Sequence, residues 1–187
     1  MALIYNASQH CYSLEAGSGH YRIDSTTVCA HVSAASGKGG LIDPLLAARG
    51  GGFTSKLRCL ADALARPLVF PLTVGEAADC RAHDTLINFP DWAPDALLAD
   101  KGYDADATRA DLAERKIAAV IPDRSNRRVK IEHGRALCKQ RNRIERMFDH
   151  LKIYRVIATR YDQLANSFLG MVHLATARYW LQFVHAA

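Results

Sequence analysis

A chain of 187 residues with 49% hydrophobic and 23% charged side chains is long enough for one domain with a buried core and too apolar for a disordered one. The net charge of +5 is unevenly placed: residues 122–160 carry 12 Lys/Arg against 4 Asp/Glu, whereas residues 1–121 carry 11 against 14. Five cysteines, odd in number and without CxxC spacing, exclude a disulfide scaffold and a structural zinc site and fit a reducing cytoplasm.

Residues 1–19 lack periodicity and read as a peripheral segment. They have neither the basic start nor the long apolar run of a secretory signal. Tyr21–Val28 is rich in β-formers and predicts a strand that carries Asp24. The Gly/Ala-rich stretch from Ala34 to Gly52 predicts a long loop. Its Gly37-Lys38 pair is no phosphate-binding loop, because Val32 and Gly39 stand where that motif needs Gly and Ser/Thr. Phe53–Ala61 and Pro67–Val74 predict two further strands, giving an antiparallel meander, and residues 76–89 are weakly helical. Ala96–Ala99 is a short apolar run that ends at Asp100. Residues 104–115 predict a helix with Asp104 as its N-cap. Ile117–Ile121 predicts a buried strand stopped by Pro122.

From Arg135 to Arg155 the helical pattern is strong. Ile144, Met147, Phe148 and Leu151 recur at three- and four-residue steps and should face the core. Arg141, Glu145, Asp149 and Lys152 form a polar stripe beside them. The closing apolar stretch, 164–187, is interrupted by Asn166, His173, Arg178, Gln182 and His185, and reads as a core helix rather than a membrane span. Strands followed by alternating β and α elements predict an α/β fold, a mixed sheet with helices on its faces.

Carboxylates are good magnesium ligands and poor DNA-binding groups, so a glutamate set among arginines points to metal-assisted phosphate chemistry. Taken singly, Asp24 reads as a strand-end turn residue and Asp100 as a loop residue. Glu145 with Arg141 reads as a surface pair worth ~0.3–0.5 kcal/mol. The basic surplus of 122–160 fits a solvated helix as well as a footprint on a polyanion. His31, His83 and His133 read as structural or solvent-facing. Ser25 has no nucleophile elbow or paired base around it.

Several blocks in order give these residues a common meaning. They are IDSTTVCAH at 23–31, GGFTSKL at 51–57, LADKGYD at 98–104, RNRIERMFDHLK at 141–152, IATRYD at 157–162 and FLGMVHLATARYW at 168–180. In them the chain resembles the DDE transposases of small bacterial insertion sequences, specifically the insertion sequence five group of the insertion sequence four superfamily. The resemblance covers residues 20–187 and implies one ribonuclease H-like catalytic domain there, a mixed sheet flanked by helices. It implies that Asp24, Asp100 and Glu145 are catalytic and hold two Mg²⁺ ions about 3.5–4 Å apart, with Mn²⁺ able to substitute. It implies cleavage of transposon ends and strand transfer into target DNA.

Within the superfamily's signature of Tyr, Arg, Glu and Lys, Arg141 and Lys152 match and imply phosphate contacts near the scissile bond. Arg124, Arg127, Arg128 and Lys130 are expected on the DNA backbone as well. The Tyr position is Cys138, a departure, since a thiol lacks the phenol's reach and hydrogen bond. Relatives carry a helical DNA-binding region ahead of the first Asp, which this chain reaches almost at once. That suggests a partner product from an upstream frame, or else a truncated remnant or regulator that binds DNA without catalysis. The resemblance also implies double-stranded DNA as partner, a homodimer on DNA, no membrane, and a cytoplasmic, nucleoid-associated location.

Overall fold

The computed structural model describes residues 19–35, 43–49, 52–79, 83–89, 94–128 and 140–184. The chain runs β1 (His20–Ala30), α1 (Val32–Ala35), β2 (Ala47–Arg49), β3 (Gly52–Ala61), β4 (Pro67–Val69), β5 (Leu72–Val74) and α2 (His83–Ile87). It continues through β6 (Ala96–Ala99), a 3₁₀ turn (Lys101–Tyr103), α3 (Asp106–Glu114), β7 (Ala118–Val120), α4 (Asn142–Lys152), α5 (Arg155–Ala158), β8 (Thr159–Arg160) and α6 (Ala165–Val184). The expected peripheral segment lies in residues 1–19, of which 1–18 fall outside the described residues, and Lys130 and Cys138 fall outside them too.

One eight-stranded mixed sheet organises these elements, with its central path in the order β2-β3-β1-β6-β7. β1 runs antiparallel to β3, from Arg22 opposite Ala61 to Cys29 opposite Thr54. On its other side β1 runs parallel to β6, which runs parallel to β7. This is the ribonuclease H-like arrangement that the resemblance implies. The predicted meander is present, although Pro67–Val74 is two strands rather than one. All four residues of β6 are buried, as expected of a parallel strand covered on both faces.

Strand alternation divides the side chains of β1 between two cores. Tyr21 and Ile23 join Leu60, Leu97, Ala99, Leu86 and Leu112 on one face. Val28 joins Leu57, Cys59 and Phe70 on the other, beneath Ile144, Met147, Phe148 and Leu151 of α4 and Phe168 and Val172 of α6. Arg22 and Asp24 share the parity of Val28, and so lie on the α4 face. Among the described residues no helix is long and apolar enough to cross a membrane.

Candidate active site

Sheet register brings the first two carboxylates together. The parallel pairing of β1 with β6 ends at Ile23 opposite Ala99, and the next residue on each strand is an aspartate, Asp24 and Asp100. Asp24 stays within β1, opposite Cys59 of β3. Asp100 leaves the sheet as the residue before the Lys101–Tyr103 turn. Ligand sites in open α/β sheets lie at such carboxyl ends of parallel strands.

Glu145 comes from the first turn of α4, whose apolar stripe seats the helix on the sheet. One nitrogen joins all three acids. Arg141 Nη1 lies 2.8 Å from Glu145 Oε1, 3.5 Å from Asp24 Oδ2 and 3.8 Å from Asp100 Oδ1. Asp24 is the deepest of the set, its side chain 13% exposed against 40% for Asp100 and 44% for Glu145. Burial pushes the Asp24 carboxyl up to about 6, and the charges of Glu145 and Asp100 push the same way. The Ser25 N–H, donating to Asp24 Oδ1 at 2.8 Å, and Arg141 act against that rise. Three carboxylates around one cationic nitrogen leave surplus negative charge, and hard oxygen donors of this kind suit a divalent cation such as Mg²⁺.

Two contacts that hold the cluster in register are not evident in the sequence. Buried Arg22, two residues before Asp24, donates from Nη1 to the Asp62 carbonyl at 2.7 Å. Its Nε and Nη2 each reach Gln140, at the backbone carbonyl and at Oε1, both at 3.1 Å. Gln140 immediately precedes Arg141, so the entry to α4 is hooked onto β1. Asp79 accepts from the Ser25 hydroxyl at 2.8 Å and pairs with Lys56 at 2.8 Å. The one signal for the first contact is an arginine at an inward position of a β pattern; nothing in the sequence marks the second.

Of the expected phosphate-binding residues, the Lys152 ammonium donates to the Thr27 carbonyl at 3.1 Å, and burial lowers its pKa. Arg127 pairs with Asp104 at 2.9 Å and with Asp106 at 2.7 Å. Arg124 donates to the carbonyls of Lys101 and Gly102. Arg128 is exposed, and with Arg124 and Arg127 it lines an open cavity of about 490 Å³ beside Asp104 and Asp106.

Asp104 is not the N-cap of the helix that follows. α3 starts at Asp106 behind Ala105, with no side-chain cap. The Asp104 carboxylate is buried, and its oxygens are taken by Arg109, Arg127 and the Arg124 N–H, which leaves nothing for the first turn of α3.

A second group of metal-ligating side chains is His83, Asp84 and Asp111, whose ligand atoms lie within 4.8 Å of one another. Hydrogen bonding accounts for its core: His83 Nε2 is 2.7 Å from Asp111 Oδ2, and Arg115 Nε is 2.9 Å from Asp111 Oδ1. His83 is buried, with Nε2 on Asp111 and Nδ1 without a partner. His31 is exposed and bonded to Ser33, and His133 falls outside the described residues.

Residues 97–182, from β6 to α6, match a family model described as a transposase DDE domain. Over 130 residues the chain is 36% identical to a Brucella ovis protein assigned as a transposase for insertion sequence element IS6501; the match takes in 69% of this chain and 99% of that protein. The piggyBac transposase, solved by cryo-EM as a synaptic complex with hairpin DNA, superposes with a TM-score of 0.54 at 10% identity. That match covers 92% of this chain and 50% of the piggyBac chain, and it speaks for the fold alone. With a relative matched almost end to end at this identity, and a ribonuclease H-like sheet beneath the match, the chain belongs to the DDE transposases.

Proposed function

We propose that the chain catalyses metal-dependent cleavage of insertion-sequence ends and their strand transfer into target DNA. The observation that carries this reading is the meeting of Asp24, Asp100 and Glu145, from three distant segments, around the single guanidinium of Arg141. In this reading the three carboxylates are the catalytic metal ligands. The chemistry supplied by two bound Mg²⁺ ions, with Mn²⁺ able to substitute, is activation of the attacking oxygen and stabilisation of the leaving one.

The rest of the work falls to the protein. β1 and β6 set Asp24 and Asp100 side by side, and α4 brings Glu145 across to them. Arg141, whose guanidinium lies beside all three acids, is the phosphate contact nearest the scissile bond in this reading. Lys152 lies on the same helix as a second phosphate contact. Arg124, Arg127, Arg128 and Lys130 are read as DNA-backbone contacts without base reading. Residues 20–187 are read as the catalytic domain, working as a homodimer on double-stranded DNA in the bacterial cytoplasm and at the nucleoid, with an upstream-frame product as partner.

The test is Mg²⁺- or Mn²⁺-dependent cleavage of a duplex bearing the flanking inverted repeat, with Glu145→Gln as comparison. Cutting that needs the metal and drops by at least about a hundredfold in the variant supports the reading. The thiol of Cys138 in place of the signature tyrosine favours a second reading, a DNA-binding regulator without catalysis. Binding of the repeat by both proteins with no cutting by either, the upstream product supplied, selects that one.

A further inference from the structure

The turn that presents Asp100 is gripped from outside the carboxylate cluster. Asp104, four residues on, is 4% exposed, yet it accepts from Arg109 Nε at 2.8 Å, Arg127 Nε at 3.0 Å and Nη2 at 2.9 Å, and the Arg124 N–H at 2.9 Å. These bonds hold its carboxyl well below the usual range despite the opposing effect of burial. Arg124 in turn reaches back over the turn, donating from Nε to the Lys101 carbonyl at 3.1 Å and from Nη2 to the Gly102 carbonyl at 2.7 Å. Arg109 Nη2 also binds the Ile121 carbonyl at 2.8 Å, just past β7. The segments leaving two adjacent parallel strands, β6 and β7, are thereby laced together.

Stability alone is a poor reason for this arrangement. A buried ion pair is often no more stabilising than apolar side chains of the same volume. A single 3₁₀ turn, with its poor hydrogen-bond geometry, is also a weak support for a ligand. The clasp closes on the two carbonyls that directly follow Asp100. On the turn's other side, Gly102 abuts Asp79, where a Cβ would stand 2.8 Å from Oδ2.

We propose that Asp104 and Arg124 are positioning residues that fix Asp100 through the Lys101–Tyr103 turn. The inference rests on the reading of Asp100 as a metal ligand. Losing such supports weakens metal affinity by about 10–100-fold in metal sites generally.

The experiment is Mn²⁺ binding by the full chain without DNA, followed by the electron-paramagnetic signal of free Mn²⁺, for wild type, D104N, R124A, R124K and D100N. Thermal unfolding of each variant is recorded alongside. The expected result for R124A and D104N is at least a tenfold loss of affinity. R124A keeps the wild-type melting temperature, and R124K, which offers one donor group in place of two, falls between them. In the cleavage assay the Mn²⁺ concentration for half-maximal rate rises by a like factor in D104N, while the rate of D104N at saturating metal stays near wild type. If D104N fails to fold, R124A, whose side chain is exposed, carries the test. Wild-type affinity in a folded R124A overturns the proposal. Wild-type affinity in D100N overturns the triad reading and this proposal with it.

Discussion

Asp24 is the residue on which folding and the proposed chemistry pull in opposite directions. Its carboxyl is raised from 3.8 to about 6, by burial first and then by the charges of Glu145 and Asp100. A folded-state pKa above the unfolded one means that the ionised group costs stability. That cost is complete above about pH 6, shrinks as the pH falls through that value, and is gone below about 4. Asp24→Asn removes the charge and keeps an oxygen for the Ser25 N–H. In the absence of metal the variant should therefore be more stable than wild type at pH 7–8, by on the order of 1–3 kcal/mol. The gap should close as the pH is lowered towards 4, while metal-dependent cleavage is lost at every pH. Thermal unfolding in chelator across that range checks it; a variant less stable than wild type at pH 8 contradicts it. Such a trade of stability for function is common at active sites.

At the scale of elements, α4 is what turns a pair of sheet aspartates into a cluster of three acids. Ile144, Met147, Phe148 and Leu151 are each no more than 4% exposed, so the helix is fixed by packing on one face while Arg141 and Glu145 stand at its rim. Leu151→Ala should cost about 2–4 kcal/mol, a drop of very roughly 5–15 °C in Tm, and should reduce metal affinity through tilt of the helix. Calorimetry together with a metal titration reads both effects. This helix, β1 and β6 were all legible in the sequence: the apolar spacing of the helix matches its period, β1 is rich in β-formers, and β6 is a short continuous apolar run, as a strand buried on both faces should be.

Legibility failed where a distant side chain decides the local structure. Among the described residues of 76–89 the α-helix is the short His83–Ile87, and Arg58 holds the carbonyls of Ala77 and Ala78. The strand expected over Pro67–Val74 splits at Phe70-Pro71. Proline has no N–H for a ladder, and the Pro71 carbonyl is instead taken by the Arg58 N–H at 3.0 Å. Asp104 looked like a cap because caps are local. Beside Arg109, five residues on, its partners Arg124 and Arg127 are 20 and 23 residues away.

For the molecule as a whole, acid is the weak side. Asp43, Asp104 and Asp111 are all held below their ordinary range, each by arginine or backbone N–H donors that outweigh burial. Depressed folded-state values contribute stability that is present above about pH 4 and lost as the pH falls below it. The three sit in different places. Asp43 binds Arg160 and the first N–H of α6, Asp104 joins the exits of β6 and β7, and Asp111 pairs with Arg115 on α3. Acid unfolding should thus be cooperative, with urea midpoints falling steeply between about pH 4 and 2, and Asp104→Asn should make that slope shallower.

The hook from Arg22 to Gln140 spans 118 residues and closes beside Arg141, so its consequence belongs to synthesis. A ribosome must finish nearly the whole sheet, and then the helix beyond it, before the third acid can meet the first two. A product stopped short of Arg141 would hold Asp24 and Asp100 without that guanidinium and without Glu145, so the proposed ligand set would be incomplete in it.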